Sequence, residues 1–305
     1  MIENKHTMAG HLSAFGTIFL WGITFISTKV LLNTFTPVEI LLIRFLIGYL
    51  CLWAIFPHRM KVRPWKEEVM FVAAGLSGVT LYFLFENTAI DYSLASNVGV
   101  IVSIAPLFTG ILASIFLHEE KISVQFLFGF LLSIMGIIVI GYNGSTVLKL
   151  NPLGDVLAVL AAAVWSVYSI IMRKISDLKL NTIGVTRKIF FYGLLFMIPV
   201  ISLWGFDVEV SQFLNFNTIL NLLFLSVGAS AICYVTWNWS VGILGAVKTS
   251  VYIYLIPVIS VVASIIFLHE PVTWIALGGS LLTLMGLYLS ERRVKVKTRE
   301  AYAES

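Results

Sequence analysis

Charged side chains are scarce in this 305-residue sequence. Asp, Glu, Lys and Arg together make up 12% of it, about half of the roughly 25% found in soluble domains. So few charges cannot cover a water-facing surface, which excludes an ordinary soluble protein. Hydrophobic residues make up 59% and the mean hydropathy is +0.95. The apolar runs are continuous rather than alternating, so they predict membrane-spanning helices and not strands of a barrel.

Cysteines and enzyme motifs are also few. Cys51 and Cys233 both lie in apolar runs, which predicts buried core residues and no disulfide framework. The sequence has no GxSxG, no glycine-rich phosphate loop and no Cys/His cluster, and its two His-Glu pairs lack the second histidine of HExxH. We therefore expect no enzyme, no metal and no cofactor. The net charge of +4 comes from short loops and the tail, without interleaved aromatics, and does not indicate nucleic-acid binding.

Ten apolar stretches predict an all-α polytopic membrane protein with short connections. No small-residue cleavage site follows the first stretch, which we interpret as a helix and not a signal peptide. The predicted helices are 12–32, 37–56, 69–90, 94–116, 122–141, 152–173, 183–204, 217–240, 245–267 and 272–290.

The loop charges predict the orientation. If the N-terminus is cytoplasmic, the other side carries only Lys149 among its loop Lys and Arg residues. The cytoplasmic side then carries Lys5, Lys121 and the basic segments at 59–66, 173–179 and 292–299. By the positive-inside rule we expect both termini in the cytoplasm and the protein in the plasma membrane.

The chain contains an internal repeat. The string IFLHE occurs at 115–119 and again at 266–270, each time nine residues after a proline, Pro106 or Pro257. The similarity extends through 96–119 and 247–270 and, with loop insertions, to most of both halves. It predicts two five-helix units, 1–145 and 146–290, and a basic tail, 291–305. Because five is odd, the second unit is inverted, as in many secondary transporters, unless the duplication serves packing alone.

These features resemble the EamA type of the drug/metabolite transporter superfamily. The resemblance covers about 10–290 and rests on a tryptophan in the first helix of each unit, "FENTAI" at 85–90, "WNWSVGILGAVKTSVYIYLIP" at 237–257 and both "LHE" ends. It implies export or uptake of a small metabolite, often an amino acid, by alternating access. Because the sequence has no ATP-binding domain, such transport would be secondary or facilitative.

Glu86 is the sharpest candidate for chemistry. An ionisable residue inside a membrane segment is costly and usually faces a protein interior or a watered cavity. Tyr82, four residues earlier, lies on the same helix face, and its repeat mates are Tyr234 and Asn238. We expect two facing polar stripes, with Glu86 either a proton carrier or a structural carboxylate bonded to Arg44 or a helix end.

Two arginines occupy similar places in the two units. Arg44 and Arg187 could each hold a substrate carboxylate in a bidentate contact, or could pair with a structural acid such as Glu39.

Aromatic and polar residues predict a mixed cavity, although core packing explains any single one of them. We expect it between predicted helices 1, 3, 4, 6, 8 and 9. The candidate substrate-binding residues are Trp21, Thr24, Tyr82, Glu86, Asn97, Trp165, Tyr168, Tyr234, Trp237 and Asn238.

Pro106 and Pro257 should bend their helices and are candidate hinges, or fixed kinks needed for packing. The topology places His118 and Glu119 on the cytoplasmic side and His269 and Glu270 outside, so the two pairs cannot form one site. We interpret them as helix-end charges or as gate residues.

The sequence thus predicts a secondary or facilitative transporter, a probable exporter of an amino acid or related compound. Its expected partners are the substrate, membrane lipid and protons, in a monomer or a homodimer. The alternatives are a scaffold or sensor without flux, or a transporter of a cationic drug-like or nucleobase-type compound.

Overall fold

Helices make up nearly all of the structure, a computed structural model that describes residues 2–58, 60–61, 63–93, 95–117, 123–141, 151–259, 262 and 274–291. Across these residues there is no β-strand, and a short 3₁₀ turn, Val210–Leu214, stands between two long helices. The helices are α1 Ile2–Leu31, α2 Pro37–Ile55, α3 Trp65–Tyr92, α4 Ala95–Val102, α5 Ala105–Phe116, α6 Val124–Gly141, α7 Pro152–Ser176, α8 Thr182–Trp204, α9 Phe216–Leu244, α10 Ala246–Ile259 and α11 Trp274–Glu291.

Six of these helices, α1, α2, α3, α7, α8 and α9, are long and apolar enough to cross a bilayer. Shorter apolar helices lie in α5, α6, α10 and α11. The predicted class, an all-helical multi-pass membrane protein, is therefore confirmed. The number of crossings stays a prediction.

Side-chain caps fix several helix starts where short loops end. Thr36 and Glu39 form a reciprocal capping box at the start of α2, with Thr36 N donating to Glu39 Oε2 at 2.7 Å. Asn151 and Asn181 accept from the backbone N–H groups three residues on and so begin α7 and α8.

The predicted start of the first helix was wrong by ten residues. It was placed at residue 12, whereas α1 begins at Ile2. Hydropathy indicates which residues contact lipid and not where a helix begins. Residues 2–11 contain no proline that would stop a helix. The extension also packs on α9, because Ser240 Oγ donates to the Gly10 carbonyl at 3.2 Å.

Irregular backbone precedes both predicted hinge prolines. A turn at residues 103–104 separates α4 from α5 just before Pro106, where one continuous helix had been predicted. In α10 a 3₁₀ turn, Tyr252–Tyr254, precedes Pro257. Proline lacks a backbone N–H and its ring crowds the preceding turn, which explains both breaks.

One π-helical segment interrupts each of two long helices, α3 and α9. Leu76–Leu81 lies within α3 and Phe224–Ile232 within α9. Their hydrogen bonds run to the fifth residue instead of the fourth, which widens the turn, and such turns often mark functional positions.

The N-terminal half (residues to 141) and the C-terminal half (from 152) contact each other reciprocally. Helices α1 and α2 pack on α9, whereas α7 and α8 pack on α3. The last helices of the halves, α6 and α11, pack together through glycines. A Cβ at Gly136 would lie 2.5 Å from Thr283 N, and one at Gly286 would lie 2.4 Å from Ser133 N.

Glycines also allow α3 and α8 to cross closely beside the first π-helical segment. A Cβ at Gly75 would lie 2.7 Å from Gly193 N and 2.8 Å from the Ile189 carbonyl oxygen. Both atoms belong to the backbone of α8, so they cannot rotate away. Small residues at such a crossing let two membrane helices approach.

We expect Gly75→Ala to destabilise the protein by about 1–3 kcal/mol, because the added methyl group overpacks this crossing. The measurement is the midpoint of thermal unfolding in detergent, followed by size-exclusion elution. Gly16→Ala is the matched control, because a Cβ there meets nothing within 4 Å. Equal midpoints for the two variants would contradict the close crossing.

Candidate functional site

A small cavity lies between the two halves and is partly open to the outside, with about 20 Å³ of space for the centre of a water-sized sphere. This volume has room for about one water molecule and is far below the roughly 300–1,000 Å³ of small-ligand pockets, so a ligand can enter only when the lining side chains move. The lining residues come from α1, α2, α3, α7 and α10. They are Trp21, Thr24, Phe25, Arg44, Tyr82, Phe83, Glu86, Trp165 and Ile256.

Glu86 is buried and lies on the α3 wall of this cavity. Tyr82 Oη donates to Glu86 Oε1 at 2.9 Å, the contact expected for residues four apart on one helix. The Tyr82 ring packs on Trp165, with centroids 4.8 Å apart. The acidic stripe predicted from the sequence thus faces the cavity with one of its oxygens already bonded.

Arg44 brings a positive charge to the same cavity. Its side chain is 1% exposed, its Nε donates to Ser230 Oγ at 2.7 Å, and its guanidinium lies over the Phe83 ring at 4.2 Å. In the part of the chain that the structure describes, no ion pair within 4.0 Å joins Arg44 to Glu86. The pairing with Glu39 considered from the sequence was wrong, because Glu39 caps α2 and accepts from Asp207 N.

Aromatic rings form the floor of the cavity: Trp21 and Trp165 line it, and the rings of Trp237 and Tyr234 pack against them. Trp21 meets Trp165 edge-on at 5.2 Å between centroids, and Trp237 lies 5.1 Å from Trp21 and 5.8 Å from Trp165. Tyr234 completes the group at 5.9 Å from both Trp21 and Trp165. Edge-on and tilted contacts of this kind are favourable and stiffen the floor.

The indole N–H groups in this floor differ in their hydrogen bonds. Trp21 Nε1 donates to the Ala229 carbonyl at 2.9 Å, and Thr24 Oγ1 donates to the Trp21 carbonyl at 2.7 Å. The buried indole nitrogens of Trp165 and Trp237 have no hydrogen-bond partner among the described residues. Buried tryptophan N–H groups usually have one, and Trp165 also lines the cavity.

Tyr234 and Asn238, the second predicted polar stripe, do not line this cavity. Tyr234 Oη donates to the Gly78 carbonyl. Asn238 accepts from Tyr168 Oη at 2.7 Å and donates to Thr186 Oγ1 at 3.0 Å. These buried bonds tie α9 to α3, α7 and α8.

The remaining candidates fall elsewhere. Asn97 lies in α4, but its side chain is outside the described residues, as are His118, Glu119, His269 and Glu270. Pro106 and Pro257 are buried in the broken helices. Arg187 donates to the carbonyls of Phe56 and His58 and so holds the connection after α2.

Sequence reasoning missed the contribution of α2 to the cavity. Arg44 was a predicted substrate ligand or structural arginine, and its helix was not among those expected to line the cavity. Phe25, Phe83 and Ile256 were also missed. Apolar residues in an apolar helix carry no periodic signal, whereas an arginine inside a membrane helix is itself a signal for a functional site.

A family model described as the EamA-like transporter family matches the chain twice, at residues 8–142 and 152–292. The chain belongs to the EamA-like transporter family. The cavity described above therefore lies in a membrane transporter, with walls drawn from both matched regions.

Relatives of this EamA-like transporter are also named transporters. An uncharacterized transporter of Archaeoglobus fulgidus is 28% identical over 92% of this chain and 96% of its own. A probable amino-acid metabolite efflux pump of Escherichia coli is 24% identical, covering 90% and 91% of the two chains. A solved crystal structure at 21% identity has a TM-score of 0.71 over 93% of this chain and 96% of that one, which supports the fold.

Proposed function

We propose that this EamA-like transporter is a secondary exporter of a small zwitterionic metabolite, an amino acid or a close relative of one. The substrate binds in the cavity between Arg44 and Glu86 and is released by alternating access. The efflux pump of Escherichia coli supports this choice, as does a probable terminal-alkyne amino-acid exporter of Streptantibioticus cattleyicolor, 26% identical to this chain over 93% of it and 94% of that protein.

The observation that carries the proposal is the pair of opposite charges on one small cavity. Arg44 and Glu86 both line it, and no ion pair within 4.0 Å joins them in the described part of the chain. Charges inside a membrane protein are costly unless a partner neutralises them. A zwitterion supplies both partners at once, a carboxylate for Arg44 and an ammonium group for Glu86.

The proposed membrane arrangement follows from the sequence repeat. Ten helices cross the plasma membrane as two inverted five-helix units, 1–145 and 146–290, with the tail 291–305 and both termini in the cytoplasm. The reciprocal packing of α1 and α2 on α9, and of α7 and α8 on α3, supports two related halves. The cavity lies between these halves, and in transporters with inverted repeats the substrate site lies at the interface between the repeats. The functional unit is a monomer or a homodimer.

Glu86 is the proposed coupling residue. A buried carboxyl can take up a proton when substrate leaves and release it when substrate returns. Inward proton movement then drives the metabolite outward. The candidate hinges are Pro106 and Pro257, where the backbone is already irregular. The candidate gates at His118, Glu119, His269 and Glu270 remain proposals from the sequence.

The test is counterflow in proteoliposomes loaded with single unlabelled compounds. The set comprises zwitterionic amino acids, their decarboxylated amines, their deaminated acids and nucleobases. We expect exchange with zwitterions and at least about tenfold less with either singly charged analogue, because each leaves one buried charge unpaired. Exchange with amines or nucleobases alone would favour the cationic or nucleobase alternative. No exchange with any compound would contradict the proposed function.

We expect Trp165→Phe to weaken substrate binding without lowering stability. The substitution keeps an aromatic ring but removes an indole N–H that has no partner in the described residues. The KM for counterflow should rise by about tenfold or more, the loss of one hydrogen bond to a charged group, while the unfolding midpoint stays within error. An unchanged KM would show that this N–H does not contact the substrate.

A further inference from the structure

The two π-helical segments occupy equivalent places in the two family matches. Leu76–Leu81 ends directly before Tyr82, and Phe224–Ile232 ends two residues before Tyr234, the repeat mate of Tyr82. Each segment is followed by a buried tyrosine, Tyr82 or Tyr234. A widened turn takes its carbonyl groups out of the regular α-helical pattern, which leaves them accessible to side-chain donors.

Each segment receives hydrogen bonds from the opposite half of the chain. Trp21 in the N-terminal half donates through Nε1 to the Ala229 carbonyl at 2.9 Å. Arg44, also in the N-terminal half, donates through Nε to Ser230 Oγ at 2.7 Å. In the other direction, Tyr234 donates through Oη to the Gly78 carbonyl. All three bonds are buried.

We propose that these three bonds, the bridging hydrogen bonds, hold the halves in the arrangement of this structure and must break when the halves move. Their geometry supports this role. They join atoms across the interface between the halves, and two of the three acceptors are backbone carbonyls that rotamer changes cannot move. A rigid-body movement of one half against the other therefore has to break them.

The bridging hydrogen bonds also connect the cavity to both segments. Trp21 and Arg44 line the cavity and bond to adjacent residues of the same segment, at Ala229 and Ser230. The Tyr234 ring lies 5.9 Å from the Trp21 ring. A ligand that pulls Arg44 or displaces Trp21 thus disturbs the second segment directly. This coupling to substrate rests on the proposed function, whereas the bonds themselves can be tested without any substrate.

Cys233 provides a native reporter for the test. Its side chain is 0% exposed and follows the second segment directly. With Cys51→Ser as background, Cys233 is the only thiol in the chain. Its rate of modification by N-ethylmaleimide, followed by mass spectrometry at constant pH, measures how often this region opens, because a buried thiol reacts from the open state.

The bridging variants are Trp21→Phe and Tyr234→Phe, each of which removes a donor and keeps a ring. Two buried residues give matched controls. Trp237→Phe and Tyr254→Phe remove the same groups, which have no hydrogen-bond partner among the described residues. We expect the bridging variants to react about three- to tenfold faster than the background, as the loss of one hydrogen bond predicts, and the controls to stay within twofold.

A second pair of variants makes smaller substitutions and tests the proposal even if the aromatic variants do not fold. Ser230→Ala removes the acceptor of Arg44, whereas Ser226→Ala removes an equally buried hydroxyl that bonds the Leu222 carbonyl within its own helix. Ser230→Ala should raise the Cys233 rate and Ser226→Ala should not. Equal rates within each pair would overturn the bridging role, whatever compound the protein transports.

Discussion

Replacing Arg44 with glutamine is expected to reduce transport of zwitterionic amino acids by about 100-fold. Two charge-assisted hydrogen bonds to a carboxylate are together worth about 3 kcal/mol or more, and roughly 2.7 kcal/mol corresponds to a factor of 100. Glutamine is two atoms shorter than arginine and carries no charge, so the substrate carboxylate would be buried without a counterion. The effect should appear mainly in KM, because binding itself is lost.

Counterflow of a zwitterion and of its decarboxylated amine separates charge recognition from damage to the fold. Arg44→Gln should lose the zwitterion and leave any residual amine exchange unchanged. Arg187→Gln is the matched control, because Arg187 is also buried but bonds the backbone carbonyls of Phe56 and His58. We expect it to lower stability and to change KM by less than about threefold. Equal losses in the two variants would assign Arg44 a structural role.

Glu86→Gln is expected to abolish proton-driven accumulation and to keep exchange at saturating substrate, with the KM for exchange raised about tenfold because the substrate ammonium loses its carboxylate partner. Glutamine keeps the oxygen that accepts from Tyr82 but cannot carry a proton. One proton per substrate allows about a tenfold substrate gradient for each unit of pH difference. Across two pH units the wild type should therefore approach about a 100-fold gradient, and the variant should show none.

The measurement is uptake of labelled substrate into proteoliposomes under a pH gradient, with the membrane potential clamped to zero by potassium and valinomycin. Asp91→Asn is the control, because Asp91 lies five residues further along α3 and is exposed. It should behave as the wild type. If Glu86→Gln kept gradient-driven accumulation, the carboxyl would not be the proton carrier. If the variant lost both accumulation and exchange, Glu86 would be assigned to substrate binding instead of proton transport.

Much of this architecture follows from the sequence because the bilayer imposes strong constraints. The predicted start of α2 at residue 37 agrees with the structure, since Pro37 and the Thr36 capping box mark it. The breaks before Pro106 and Pro257 also follow from the chemistry of proline. The cavity could be predicted in part from the polar residues Thr24, Tyr82 and Glu86, because polarity inside an apolar helix is informative.

Other features depend on tertiary packing and leave no local signal. The π-helical segments have compositions like those of the α-helix around them. The side chains that donate hydrogen bonds to their carbonyl groups lie more than 150 positions away in the sequence. The bonding of Asn238 to Tyr168 and Thr186, and not toward Glu86, is equally a matter of which helices meet. The start of α1 was misplaced because hydropathy reports contact with lipid and not helical conformation.

The glycine contact between α6 and α11 bears on how such a protein can diversify. Gly136 and Gly286 bring the two backbones so close that no larger side chain fits. Neither helix contributes a residue to the cavity. Mutations that change what is carried and mutations that change how the halves are joined therefore fall at different positions. A duplicated gene could acquire a new substrate through the cavity walls alone, while the contact between α6 and α11 stays as it was.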